Sequence, residues 1–76
     1  TVIDERHRAI IAAPKRELIA ELTRYARAGN YRRPASLGEA VGVLLDGAIV
    51  QAAVLGSTRP VTAARRAAMV LLETHR

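Results

Sequence analysis

The chain has 76 residues, half of them hydrophobic, with twelve Lys and Arg against seven Asp and Glu for a net charge of +5, and no cysteine. This length limits it to one small domain that buries roughly 60% of its unfolded surface. The lack of cysteine excludes disulfides and thiolate metal sites, and the hydrophobic content excludes compositional disorder.

Phe and Trp are also missing, so an apolar mass of Ala, Leu, Val and Ile favours closely packed helices over a bulky sheet core. The cations, from Arg6 to Arg76, are scattered over every segment without a run longer than two. Without interleaved aromatics, such scatter reads as solvated surface rather than a nucleic-acid face. Neither a signal-peptide pattern nor an uninterrupted run of about 18 apolar residues is present, so the expectation is a soluble, cytoplasmic protein with no membrane association. The abrupt opening "TVIDERHRAII", without an initiator Met, reads as a piece cut from a longer chain.

The first helical segment runs from about residue 3 to residue 28. At about 100° per residue, Leu18, Ile19, Leu22, Tyr25 and Ala26 share one side while Arg16, Glu17, Arg24 and Arg27 share the other, as on an amphipathic surface helix. Pro14 removes a backbone donor and disfavours helical geometry at Ala13. Yet His7 and Ile11 stay in phase with Leu18, so the segment is read as one helix kinked near Pro14. The alternative is two helices, with Pro14 in the first turn of the second. Gly29 and Asn30 supply a left-handed stop. His7, on the apolar side, reads as a hydrogen-bonded packing residue.

A second helix is expected over residues 36–55, opened by "SLGE", Ser36 to Glu39, in the pattern of a capping box, and closed by Gly56. A third is expected over residues 60–74, with Pro60 in its first turn. Val61, Ala64, Ala68, Leu71 and Leu72 share its apolar face, opposite Thr62, Arg66 and Glu73.

The second helix is apolar nearly all the way round. Leu37, Val41, Leu44, Ala48, Ala52 and Leu55 form one stripe, widened by Leu45, and Val43, Gly47, Val50 and Val54 form another. Two flanking helices do not easily cover both stripes, and an exposed second stripe would be a larger apolar patch than soluble monomers usually show. A symmetric homodimer resolves this: the second and third helices meet their copies as a four-helix bundle through Val43, Gly47, Val50, Val54, Ala64, Ala68 and Leu71. Gly47, which costs about 1 kcal/mol relative to Ala inside a helix, suits a close approach of two backbones. The opposing reading is that Gly47 and Gly42 only relieve crowding against the first helix, or that another segment of the same chain covers the stripe. Asp46 needs a partner on so apolar a helix, with Arg65 and Arg66 as candidates.

The run "LLDGAIVQAAVLGSTRPVTAARRAAMVLLE", Leu44 to Glu73, resembles the last two helices of TetR-type transcriptional regulators, and "HRAIIAAPKRELIAELTRYARAG" resembles the helix before them. The resemblance implies an all-α C-terminal domain in which these helices dimerise and help enclose a pocket for a small-molecule effector. DNA binding in such a protein belongs to a separate N-terminal helix-turn-helix, and no segment of this chain has that form. Candidates for the effector pocket are His7, Ile11, Tyr25 and Asp46.

No catalytic constellation is visible. Ser36 and Ser57 read as a helix cap and a turn residue, His7 and His75 sit near opposite ends of the chain, and no glycine-rich phosphate loop or HExxH occurs. The sequence therefore points away from an enzyme and toward neither a cofactor nor a metal. The competing expectation is a free-standing basic helical homodimer that binds nucleic acid or a protein partner.

Overall fold

The structure, a computed structural model, describes residues 4–76. They form three helices, α1 (Glu5–Ala28), α2 (Pro34–Leu55) and α3 (Arg59–Thr74), with no strand among the described residues. The expected start of the first helix at residue 3 lies outside them.

At the head of α1 the Asp4 carboxylate accepts a hydrogen bond from the His7 N–H at 2.9 Å, placing negative charge at the positive end of the helix dipole. The helix then runs without a break through Pro14, which removes the two-helix alternative. At its far end Asn30, not Gly29, takes the left-handed conformation: φ is 60° at Asn30 and −83° at Gly29. The N–H groups of Gly29 and Tyr31 bond back to the carbonyls of Tyr25 and Ala26.

The beginning of α2 corrects the capping-box expectation. The helix starts at Pro34, two residues before Ser36, and its N-cap is Arg33 in the left-handed region (φ 48°, ψ 59°), with no side chain capping the free N–H groups. Proline suits this place because it has no N–H to leave unsatisfied and its φ is already helical. Ser36 and Glu39 are exposed positions inside the helix. The other end follows expectation: Gly56 is left-handed at φ 60°, and its N–H and that of Ser57 both donate to the Ala52 carbonyl. Ser57 Oγ then accepts from the Arg59 N–H at 3.1 Å, and α3 follows with Pro60 in its first turn.

α2 is the middle of the molecule: α1 and α3 both pack on it, and not on each other. Against α1 the packing is antiparallel, with Gly38 beside Thr23, Gly42 beside Ile19 and Asp46 beside Lys15. A Cβ on Gly38 would lie 2.9 Å from the Thr23 backbone nitrogen and 3.0 Å from its Cα, and one on Gly42 would lie 2.8 Å from Ile19 Cγ1. These two glycines are what lets α1 come so near.

The C-terminus of α3 is tied to the loop between α1 and α2. The Arg32 N–H donates to the His75 carbonyl, its Nε donates to the Arg76 carbonyl at 2.6 Å, and its Nη2 donates to the Thr74 carbonyl at 2.9 Å. A guanidinium is well matched to this place, where helix carbonyls lack internal partners and the dipole is negative.

The outcome is a slab of 40 × 29 × 15 Å with a radius of gyration of 14.0 Å, against about 11 Å for a compact domain of this length. Ala26, Leu37 and Ala48 are the buried apolar side chains among the described residues. The accessible surface is 6006 Å², where a compact monomer of 8.2 kDa would show about 4,500 Å². The chain therefore leaves on the order of 1,500 Å² more in contact with solvent than its mass warrants. α2, of 22 residues, includes an 18-residue window of mean hydropathy 1.6, long and apolar enough for a membrane span although only 22% of it is buried. Glu39 and Asp46 interrupt it, so it is not an unbroken apolar run.

The α1–α2 contact yields a direct test. Gly38→Ala gains about 1 kcal/mol of helix propensity but forces the two backbones apart, so thermal denaturation should show a net destabilisation of about 1–3 kcal/mol. A variant more stable than wild type would contradict the close approach at Thr23.

Candidate interaction face

Because α1 sits beside Gly38, Gly42 and Asp46, and α3 sits along the seam of Leu44, Ala48 and Ala64, α2 keeps two uncovered sides. On one of them lies the expected interface stripe. Val43, Val50 and Val54 are 64%, 55% and 78% exposed, and a Cβ added to Gly47 would meet nothing within 4 Å. Gly42 thus relieves crowding against α1 as one reading held, whereas Gly47 relieves none within this chain.

Two shallow grooves run end to end along this side of the α2–α3 seam. One is bordered by Ala35, Ser36, Glu39, Ala40, Val43, Leu44, Ala67, Val70 and Leu71, the other by Val43, Leu44, Gly47, Ala48, Gln51, Pro60, Ala63, Ala64 and Ala67. Leu71 borders the first of these grooves and Ala64 the second, with Gly47, while Ala64 also borders a groove on the other side of the seam. Ala68 lies in a groove on the other side of the seam, with Val41, Leu45, Ile49, Val61 and Arg65. Sequence reasoning missed Ala63, Ala67 and Val70, which project from α3 toward the Gly47 side. Their helical spacing of four and three residues was the available signal.

The charge on this face is informative. Every one of the twelve cations is exposed, yet none borders either groove on the Gly47 side, where Glu39 is the one charged residue. The opposite groove carries Arg65. A chain of net charge +5 therefore keeps its positive charge off these two grooves, with Lys15 at the neighbouring α1–α2 groove and Arg59 and Arg66 in the groove beyond Ala63.

The four candidate effector-pocket residues are not brought together. His7 is exposed and its Nδ1 lies 3.2 Å from the Asp4 carboxylate, so it belongs to the N-terminal cap of α1 instead of an apolar contact. Ile11 is exposed, and the Tyr25 hydroxyl donates to Glu21 Oε1 at 3.1 Å across one turn of an exposed surface. Asp46 alone borders a groove, between α1 and α2, with Lys15, Leu18, Ile19, Gly42, Val43 and Gly47. Its partner is Lys15, whose Nζ donates to Oδ1 at 2.5 Å, not Arg65 or Arg66. The antiparallel step of four residues per contact along α1 and α2 brings Lys15 level with Asp46, whereas α3 lies on the far side of α2. Among the described residues no group of three or more His, Asp or Glu side chains is placed to hold a metal.

His75, rather than His7, is the packed histidine. Its side chain is buried, its Nδ1 stands 2.9 Å from the Leu71 carbonyl and Nε2 has no partner. The Leu71 carbonyl can only accept, and Thr74 Oγ1 lies 3.3 Å from the same Nδ1. The ring closes the last turn of α3 next to the Arg32 bonds, a role for which its place after "LLET" was the only sequence signal.

With both side chains about half exposed, the Lys15–Asp46 pair contributes only about 0–1 kcal/mol. A double-mutant cycle on Lys15→Ala and Asp46→Ala by chemical denaturation should return a coupling in that range, and a cycle of Asp46→Ala with Arg65→Ala should return none. Measurable coupling to Arg65 would place α3 on the wrong side of α2. No family model, curated protein or solved structure matches the chain.

Proposed function

We propose that this chain is the dimerisation part of the C-terminal regulatory domain of a TetR-like transcriptional repressor, working in the cytoplasm without catalysis of its own. Two copies pair through the Gly47 side of α2 and α3 as a four-helix bundle. DNA recognition falls to a helix-turn-helix outside this sequence, and a small-molecule effector acts by changing how the rigid dimer holds the two DNA-binding heads.

The observation that carries the reading is the pair of apolar grooves on the Gly47 side of the α2–α3 seam, which no cation borders although Lys15 stands on the α1 side of Gly47 and Arg59 and Arg66 lie beyond Ala63, on a chain with surface to spare. A specific interface takes about 800 Å² from each partner, and the excess of about 1,500 Å² over a compact monomer accommodates it. Self-association of a molecule with net charge +5 also requires a contact that does not bring like charges face to face, and this side meets the requirement. Small residues at its centre, Gly47, Ala63 and Ala67, leave room for the same elements of a second copy. The family assignment rests on the sequence resemblance from Leu44 to Glu73.

Sedimentation equilibrium over a range of concentrations tests the reading. Wild type should be a dimer. Gly47→Leu and Val43→Lys should dissociate it with helicity retained, since neither replaces a residue packed within the chain. Gly47→Ala should be milder: it favours the isolated helix by about 1 kcal/mol and weakens the pair by crowding the crossing point. A folded wild-type monomer would overturn the proposal. Flotation with lipid vesicles in place of self-association would substitute a membrane role for α2. Salt-dependent binding to arbitrary duplex would favour a free-standing nucleic-acid-binding protein instead.

A further inference from the structure

We propose that Arg32, which lies outside the interface, is the positioning residue that sets it, by fixing the tilt of α3 on α2. The inference rests on the dimer reading for what the interface is, and on the structure for what Arg32 does. The interface needs both α2 and α3, since Val43 and Gly47 come from one and Ala63, Ala67 and Val70 from the other. α3 packs on α2 alone. At its N-terminal end α3 is held by the short Gly56–Thr58 turn, so, beyond the seam packing itself, it is a tie at the C-terminal end that can fix the angle between the two helices.

That end is where Arg32 acts. Its backbone N–H and two guanidinium nitrogens engage three successive carbonyls, those of His75, Arg76 and Thr74. The loop carrying Arg32 is itself pinned on both sides, by the Tyr31 N–H to the Ala26 carbonyl and the Leu37 N–H to the Arg33 carbonyl. A movement of α1 at this end thus reaches α3 by way of Arg32, although the two helices do not pack together. Each guanidinium bond is charge-assisted, and the planar fork holds two acceptors at once in a fixed relative position. A lysine offers the same charge without the fork. The side chain is exposed, so its removal leaves no cavity behind.

Arg32→Ala and Arg32→Lys, each measured by sedimentation and by amide hydrogen exchange, test this. Arg32→Ala should raise the dimer dissociation constant about tenfold, speed exchange in the last turn of α3 from Leu71 to His75, and leave total helicity and the α1–α2 amides unchanged. Arg32→Lys should fall between Arg32→Ala and wild type in both readouts. Unchanged exchange at Leu71–His75 in Arg32→Ala, which keeps the backbone bond to His75, would overturn the guanidinium clamp whether or not the chain dimerises. Faster exchange with an unaltered dissociation constant would reduce Arg32 to a local cap and overturn its link to the interface. A monomeric wild type would defeat the dimer reading and that link together, while the exchange result would still decide the clamp.

Discussion

Everything in this structure follows from one shortage: α2 is apolar nearly all the way round and, among the described residues, has two helices to lie against. Its neighbours take opposite flanks, because two helices laid on the same flank would compete for one stripe and abandon the other. The slab shape, the small buried core and the large accessible surface are all expressions of that choice. A lone chain of this kind places little apolar area out of water, while the conformational entropy of ordering seventy residues is on the order of 1–2 kcal/mol for each backbone.

Glycine divides the two sides of α2 by function. Gly38 and Gly42, one turn apart, form a shallow trough in which the α1 backbone lies at Thr23 and Ile19. Gly47 falls on another side of the helix and faces open space. Residue type alone makes the three look alike, and only the geometry of neighbours separates a glycine already used within the chain from one left available. The same holds for acidic side chains: Asp46 is answered from α1 by Lys15, while Glu39 stays exposed on the open side.

Much of the fold was legible in the sequence because it is written locally. Three helices, the left-handed Gly56, Pro60 in a first turn and two stripes on α2 all follow from residues within a turn or two of each other. What was not legible depended on distance or on competition between local signals. Ser36 to Glu39 has the residues of a capping box, but Pro34 is the stronger starting residue and moves the helix start upstream. Asn30 takes the left-handed turn that Gly29 was equally able to supply. His7 was in phase with the apolar side of α1, but α2 does not cover that end of the helix, so the phase had no consequence. Asp46 found Lys15 because of the antiparallel register, which no single helix reveals. Arg32, the residue that joins loop and helix end 42 to 44 positions apart in the chain, left no mark in periodicity at all.

The order of the helices in space is also their order along the chain, and this has a consequence for how the molecule comes apart. With α1 and α3 each docked on α2 and not on one another, the domain behaves as a row of three units with two internal seams, closer to a short repeat array than to a globule closed on itself. Contacts between successive elements favour rapid folding, but they also allow one end to peel while the other seam holds. The Gly38–Thr23 seam and the Leu44–Ala64 seam can therefore have separate stabilities, with the Arg32 bonds tying the end of α3 back to the loop between α1 and α2.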